Sequence, residues 1–135
     1  MNGSYQPYEF DLEKFTRHVV QTLKLTENNV RLDNPSSTAV FPCVVVSNPM
    51  DYVEITKDDK TALKSIYQIT VECWADNIYD AMALDKRISN QLRTKNILPK
   101  GGTITRSDSN TSKKIVGHSY EVIYNGVLNT LERIK

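Results

Sequence analysis

The chain has 135 residues and a formal net charge of +1, with 39% hydrophobic and 24% charged residues. That length fits one domain able to bury about two thirds of its unfolded surface, and the near-average composition excludes a disordered, collagen-like or coiled-coil chain. So small a net charge creates no global field for nucleic acid or an anionic membrane, and any such binding must come from a local patch.

The opening residues, MNGSYQPYEF, lack a positive n-region and an apolar h-region, and no window reaches the roughly 18 apolar residues of a membrane span. The expectation is a soluble chain, intracellular at synthesis, with a short N-terminal arm over residues 1–10. In the next segment Leu12, Phe15, Val19 and Leu23 share one helical face and Asp11 stands where an N-cap belongs, which predicts a first helix of about four turns. Asn28 and Asn29 signal a turn, Val30 to Leu32 a short strand, and NPSS at Asn34 to Ser37 a break. The unbroken apolar run Cys43 to Val46 predicts a central strand buried on both faces, bounded by Pro42 and by Asn48-Pro49.

Between Asn48 and Lys64 the chain turns polar. Tyr52, Val53 and Ile55 have strand character, and Asp58-Asp59-Lys60 reads as a turn. Next, Tyr67, Ile69, Val71 and Cys73 alternate with Gln68, Thr70 and Glu72, the period of a half-buried antiparallel strand. The period then switches: Ile78, Ala81, Leu84, Ile88 and Leu92 form one apolar helical stripe that faces the sheet. Asn77 and Asp80 have the spacing of an N-cap and an acidic N3 residue. Pro99 and Gly101-Gly102 end this unit; Ile104 and Arg106 have strand character, and Ser107 to Ser112 reads as an exposed tip. A last strand alternates Tyr120, Val122 and Tyr124 with Glu121, Ile123 and Asn125 and continues through Val127 and Leu128. The order helix, strands, helix, strands describes a single α+β domain over 1–135, with exposed loops near 48–64 and 99–118.

Few residues point to chemistry. Cys43 and Cys73 lie inside apolar runs, where a free thiol behaves as a small hydrophobe, and their spacing matches no metal or redox motif. His18 and His118 stand in no local frame with a nucleophile or paired carboxylates. Asp58 and Asp59, even with Asp51, are too few ligands for a divalent cation. Trp74, at the end of the alternating strand, is expected to anchor the joint between strand and helix. Neither a catalytic residue, a cofactor nor a metal is expected. Charge is unevenly spread, however: Asn48 to Asp59 holds four acids against Lys57, whereas Pro99 to His118 holds Lys100, Arg106, Lys113 and Lys114 against Asp108. Two loops of opposite sign suit head-to-tail contacts between copies of one chain. Tyr52, Asp58, Asp59, Lys100, Arg106, Lys113 and Lys114 are therefore the candidate subunit or partner interface.

This order of elements resembles the tail-terminator, or tail-completion, proteins of long-tailed bacteriophages. The resemblance rests on the helix DLEKFTRHVVQTL, the Pro-led strand FPCVVVS, the strand ITVECWA, the helix DAMALDKRISNQL and the late strand YEVIYNGVL. It implies an antiparallel sheet of about four to five strands with two helices packed on one face. It further implies a non-enzymatic homo-hexameric ring at the head-proximal end of the tail tube, found in the virion after assembly in the host cytoplasm. The implied partners are the tail tube protein and a head-completion or connector protein, with DNA passing through the lumen without sequence-specific binding and no membrane contact. Size permits this: a radius of gyration of about 14 Å gives six touching spheres a lumen about 36 Å wide. Alternatives are a head-completion or connector protein of the neck, or a small nucleic-acid or protein binding module. A single-strand binder is expected to place aromatic residues among its basic ones, and none lies between Pro99 and His118.

Overall fold

The computed structural model describes residues 11–36, 38–55, 63–126 and 128–134. Helix α1 (Leu12–Lys24) starts where Asp11 accepts the Lys14 N–H at 2.9 Å, as its capping position predicts. Helix α2 (Ile78–Arg93) starts at Asn77 in the same way. The Asn77 side chain accepts the Asp80 N–H and its amide donates to the Asp80 carboxylate, both at 2.9 Å. One orphan N–H of the first turn is thereby satisfied, and the two side chains hold each other in place.

Six strands form one sheet: β1 (Val30–Arg31), β2 (Cys43–Ile55), β3 (Leu63–Ala75), β4 (Leu98–Ser107), β5 (Lys114–Asn125) and β6 (Thr130–Glu132). Their order is β1-β2-β3-β5-β4, with β6 pairing β5 beyond the end of β4. Every pairing is antiparallel except the short β1–β2 contact. The fold is α+β, with one strand more than the upper expectation because β6 is only three residues long and carries no alternation to announce it.

Side chains alternate cleanly across β3. Tyr67, Ile69, Val71 and Cys73 are buried on one face, beneath Phe15, Val19 and Leu23 of α1 and Leu84, Ile88 and Leu92 of α2. Val44, Val46, Ile97, Tyr120, Val122 and Tyr124 complete this core. Both helices thus cover the same face of the sheet. The Phe15 and Tyr67 rings stack there at 4.9 Å, and Tyr124 tilts against Tyr67 at 6.1 Å.

Four local expectations change. First, β2 does not end at Asn48-Pro49. It bulges there, with a register shift between Ser47 and Met50 and Asn48 at φ +53°, and then continues to Ile55. The partner strand β3 carries the ladder across the interruption. Second, most of the loop expected near 99–118 is the β4–β5 hairpin, leaving a tip over 108–113; likewise 48–55 and 63–64 of the first expected loop are strand. Third, the last strand stops at Asn125, and Leu128 lies exposed in the turn before β6; Val127 lies outside the described residues. Fourth, Trp74 points away from the helices. It belongs to the opposite face of β3, where it packs with Cys43, Val45 and Ile115 and partly buried Phe41. Cys43 to Val46 are indeed buried on both faces.

Candidate functional site

The face of the sheet opposite the helices carries Lys100 and Arg106 of the charged residues singled out by sequence. Cys43, Trp74, Ile115 and Arg106 lie side by side in one row across β2, β3, β5 and β4. The Arg106 guanidinium sits 5.5 Å from the Trp74 ring centroid and holds both carboxylate oxygens of Glu72, at 2.9 and 3.3 Å. Two rows further on, Lys100 Nζ donates to Glu121 Oε2 at 2.8 Å, and Gln68 Nε2 donates to the same oxygen at 3.1 Å. The carboxylates are nearly buried, at 10% and 7% exposure, while Arg106 and Lys100 remain 43% and 58% exposed. A buried carboxylate with a half-exposed cation keeps its charge compensated and turns the cation toward solvent.

Gly117 makes this packing possible. It lies opposite Glu72 and Ile104, and a Cβ there would stand 2.6 Å from the Val71 carbonyl oxygen and 3.0 Å from the Glu72 side chain. Any side chain larger than hydrogen would push β5 off β3.

The predicted interface residues fall into three groups. Lys100 and Arg106 lie on β4, paired to Glu121 and Glu72 of the same chain. Lys113 ends the hairpin tip and Lys114 opens β5: Lys113 pairs with Asp76 and lies 4.7 Å from the Phe41 ring centroid, while Lys114 Nζ donates to Ser107 Oγ at 3.1 Å. Tyr52 stands on β2 opposite Ile66, and Asp58 and Asp59 lie outside the described residues. Three of the four cations are therefore engaged by acids within the chain, and Lys114 is bonded to a hydroxyl. The fold also gathers aromatic and basic residues that are distant in sequence, Trp74 with Arg106 and Phe41 with Lys113. Trp74 is 1% exposed and offers no face to a base.

Sequence reasoning missed a second constellation, on the helix side of β5. Asp85 on α2 approaches His118 Nδ1 at 3.0 Å, and His118 Nε2 lies 3.0 Å from the hydroxyl of Thr103 on β4. The β4 bulge creates this reach. Lys100 pairs with Ser119 and Ile104 with Gly117, so three residues, Gly101 to Thr103, stand opposite His118 alone. Gly101 takes φ +77°, which a residue with a side chain rarely adopts. Gly101-Gly102, read from sequence as the end of the strand–helix unit, is the hinge of that bulge. The separations of 15 and 33 residues hide this group from any local motif.

A further half-buried ion pair joins the helices. Glu27, after α1, receives Arg87 Nη2 and Nε of α2 at 3.1 and 3.2 Å. This bond holds the Arg87 guanidinium pKa above its ordinary value. Glu27 lines a hollow of about 260 Å³ between the end of α1 and the Val40–Val44 stretch. Both cysteines are free and buried; burial raises the Cys43 thiol pKa to about 11 and pushes that of Cys73 up as well. His18 is pushed down by burial and then by the Lys95 charge. Among the described residues, no helix is long and apolar enough to cross a membrane. No family model matches the chain, and no curated protein sequence matches it.

Proposed function

We propose that this chain is the subunit of a ring at the head-proximal end of a bacteriophage tail tube, where it ends polymerisation and offers the surface on which the DNA-filled head docks. The observation that carries the reading is the layout itself. The order α1, hairpin, α2, hairpin builds one mainly antiparallel sheet with both helices on a single face, the arrangement that the resemblance to tail-terminator proteins implies. Such a subunit needs no turnover to act. A head-to-tail contact that repeats about a closed axis makes a ring, and a ring face lacking the tube's self-complementary surface stops growth.

The cations facing solvent on the open face of β4, Lys100 and Arg106, and Lys114 at the start of β5, which alternation turns to the helix side, are the proposed contacts to acidic neighbouring surfaces. Because Lys113 is tied to Asp76, a charge reversal there alters the chain's own hairpin as well as any contact, whereas Lys114→Glu reads the contact more cleanly. The test is the mass of the purified protein in solution, followed by imaging with isolated tail tubes. Rings in solution, or rings that form only on tube ends, support the proposal, and Lys114→Glu is expected to weaken their assembly. A monomer that neither forms rings nor caps tube ends overturns it.

A further inference from the structure

We infer that Thr103 is an activated hydroxyl, an acceptor of acyl groups from small activated esters, with His118 as its general base and Asp85 as the residue that orients the base. The inference does not depend on the ring reading. It starts from the order of hydrogen bonds. Asp85 is 8% exposed, and its Oδ1 lies 3.0 Å from His118 Nδ1. A carboxylate there accepts the Nδ1–H of a neutral imidazole and so selects the tautomer whose lone pair is on Nε2. That lone pair faces the Thr103 hydroxyl at 3.0 Å. Hydroxyl, imidazole and carboxylate thus form a relay with the nucleophile–base and base–orienter distances that nucleophilic catalysis uses.

The local fold places each member for a different reason. His118 lies on the helix-facing side of β5, and Tyr120 meets its ring edge-on at 6.1 Å. Asp85 belongs to the buried side of α2 among Ala81, Leu84 and Ile88. Thr103 belongs to the bulge and is exposed. Next to it, a Cβ built on Gly101 or Gly102 would meet no atom within 4 Å, so the flank of the hydroxyl is open. The base is sheltered and the nucleophile accessible, as acyl transfer from solution requires.

The step balances as follows. Thr103 Oγ attacks the carbonyl carbon of the ester while its proton passes to His118 Nε2. A new C–O bond forms to Thr103, the bond to the leaving oxygen breaks, and the leaving group departs as an alcohol or phenol carrying that proton. Asp85 stabilises the imidazolium formed in between. Hydrolysis of the acyl-threonine by water returns the free hydroxyl.

The experiment exposes the intact protein to p-nitrophenyl acetate and follows acetylation residue by residue by peptide mass mapping. Thr105 is the internal reference, since it lies exposed on the same strand, two residues away. General-base assistance predicts that Thr103 is acetylated on the order of 100-fold faster than Thr105. Thr103→Ser should keep the advantage at position 103. His118→Gln, which retains hydrogen-bonding capacity but cannot take the proton, should abolish it. Equal rates at Thr103 and Thr105 in the unaltered protein overturn the proposal without recourse to any variant. An advantage that persists in a folded His118→Gln protein overturns it as well.

Discussion

The two faces of the sheet solve burial differently. Under the helices, Phe15, Val19, Leu23, Leu84, Ile88 and Leu92 meet Tyr67, Ile69, Val71, Tyr120 and Val122 in one continuous apolar layer. On the open face the buried apolar cluster shrinks to Cys43, Val45, Trp74 and Ile115, and the surrounding surface is closed by long cations clamped over carboxylates. Arg106 and Lys100 there do what the helices do on the other side, shielding strand side chains from water, but they keep their charged ends outside. One face is committed to the chain's own core, while the other is well packed and still presents polar groups to solvent.

Truncating one large residue on each face tests that contrast most directly. Phe15→Ala should lower unfolding stability by about 3–5 kcal/mol, and Trp74→Ala by a similar amount if the open-face cluster is a true second core. Both are read by denaturant titration. A Trp74→Ala loss below about 1 kcal/mol would reduce that cluster to an exposed decoration of the sheet. The indole nitrogen of Trp74 is buried without a hydrogen-bond partner, so Trp74→Phe should cost less than Trp74→Ala. Gly117→Ala comes next. Because the new methyl would meet a backbone oxygen that cannot move alone, the expected cost is about 1–3 kcal/mol. A neutral result would mean that β5 and Glu72 can shift freely on the open face.

The smallest effect concerns pH, on the helix-covered side. The folded pKa of His18 lies below its ordinary value of 6.5 because burial and the Lys95 charge disfavour the imidazolium. A group held neutral in the fold and free to protonate when unfolded gives stability that is full above the unfolded pKa. That stability is lost as pH falls from about 6.5 toward the lower folded value. Denaturant midpoints measured across this window should slope downward on acidification, and His18→Gln should flatten the slope. An unchanged slope in His18→Gln would assign it to other groups.

Local chemistry was legible in the sequence. The alternation of Tyr67, Ile69, Val71 and Cys73, the stripe from Ala81 to Leu92, and the caps Asp11 and Asn77 each depend on residues within a few positions of one another. What depended on strand pairing was not. Asn48-Pro49 resembles an end and becomes a bulge only because β3 continues opposite it. Alternation put Trp74 on the face away from Cys73, yet its place at the strand end suggested a joint with the helix. His118 and Asp85 are ordinary residues in their own segments, and only the folded sheet sets them at 3.0 Å. Likewise Lys100, Arg106 and Lys113 read as a loose basic loop because their acids, Glu121, Glu72 and Asp76, lie between 21 and 37 residues away.

Strand β5 has a kinetic consequence. It is the last long strand described, yet it occupies the gap between β3 and β4 and, among the described residues, supplies the only strand partner for β6. Until residues 114–125 are in place, the β2–β3 hairpin has a bare flank and β4 has no strand to pair with among the described residues. Closing such distant pairings demands loop entropy before any packing rewards it. Assembly of the sheet therefore has to wait for nearly the whole chain, and a product cut short before Lys114 would display the unpaired edge of β3 as a template for aggregation.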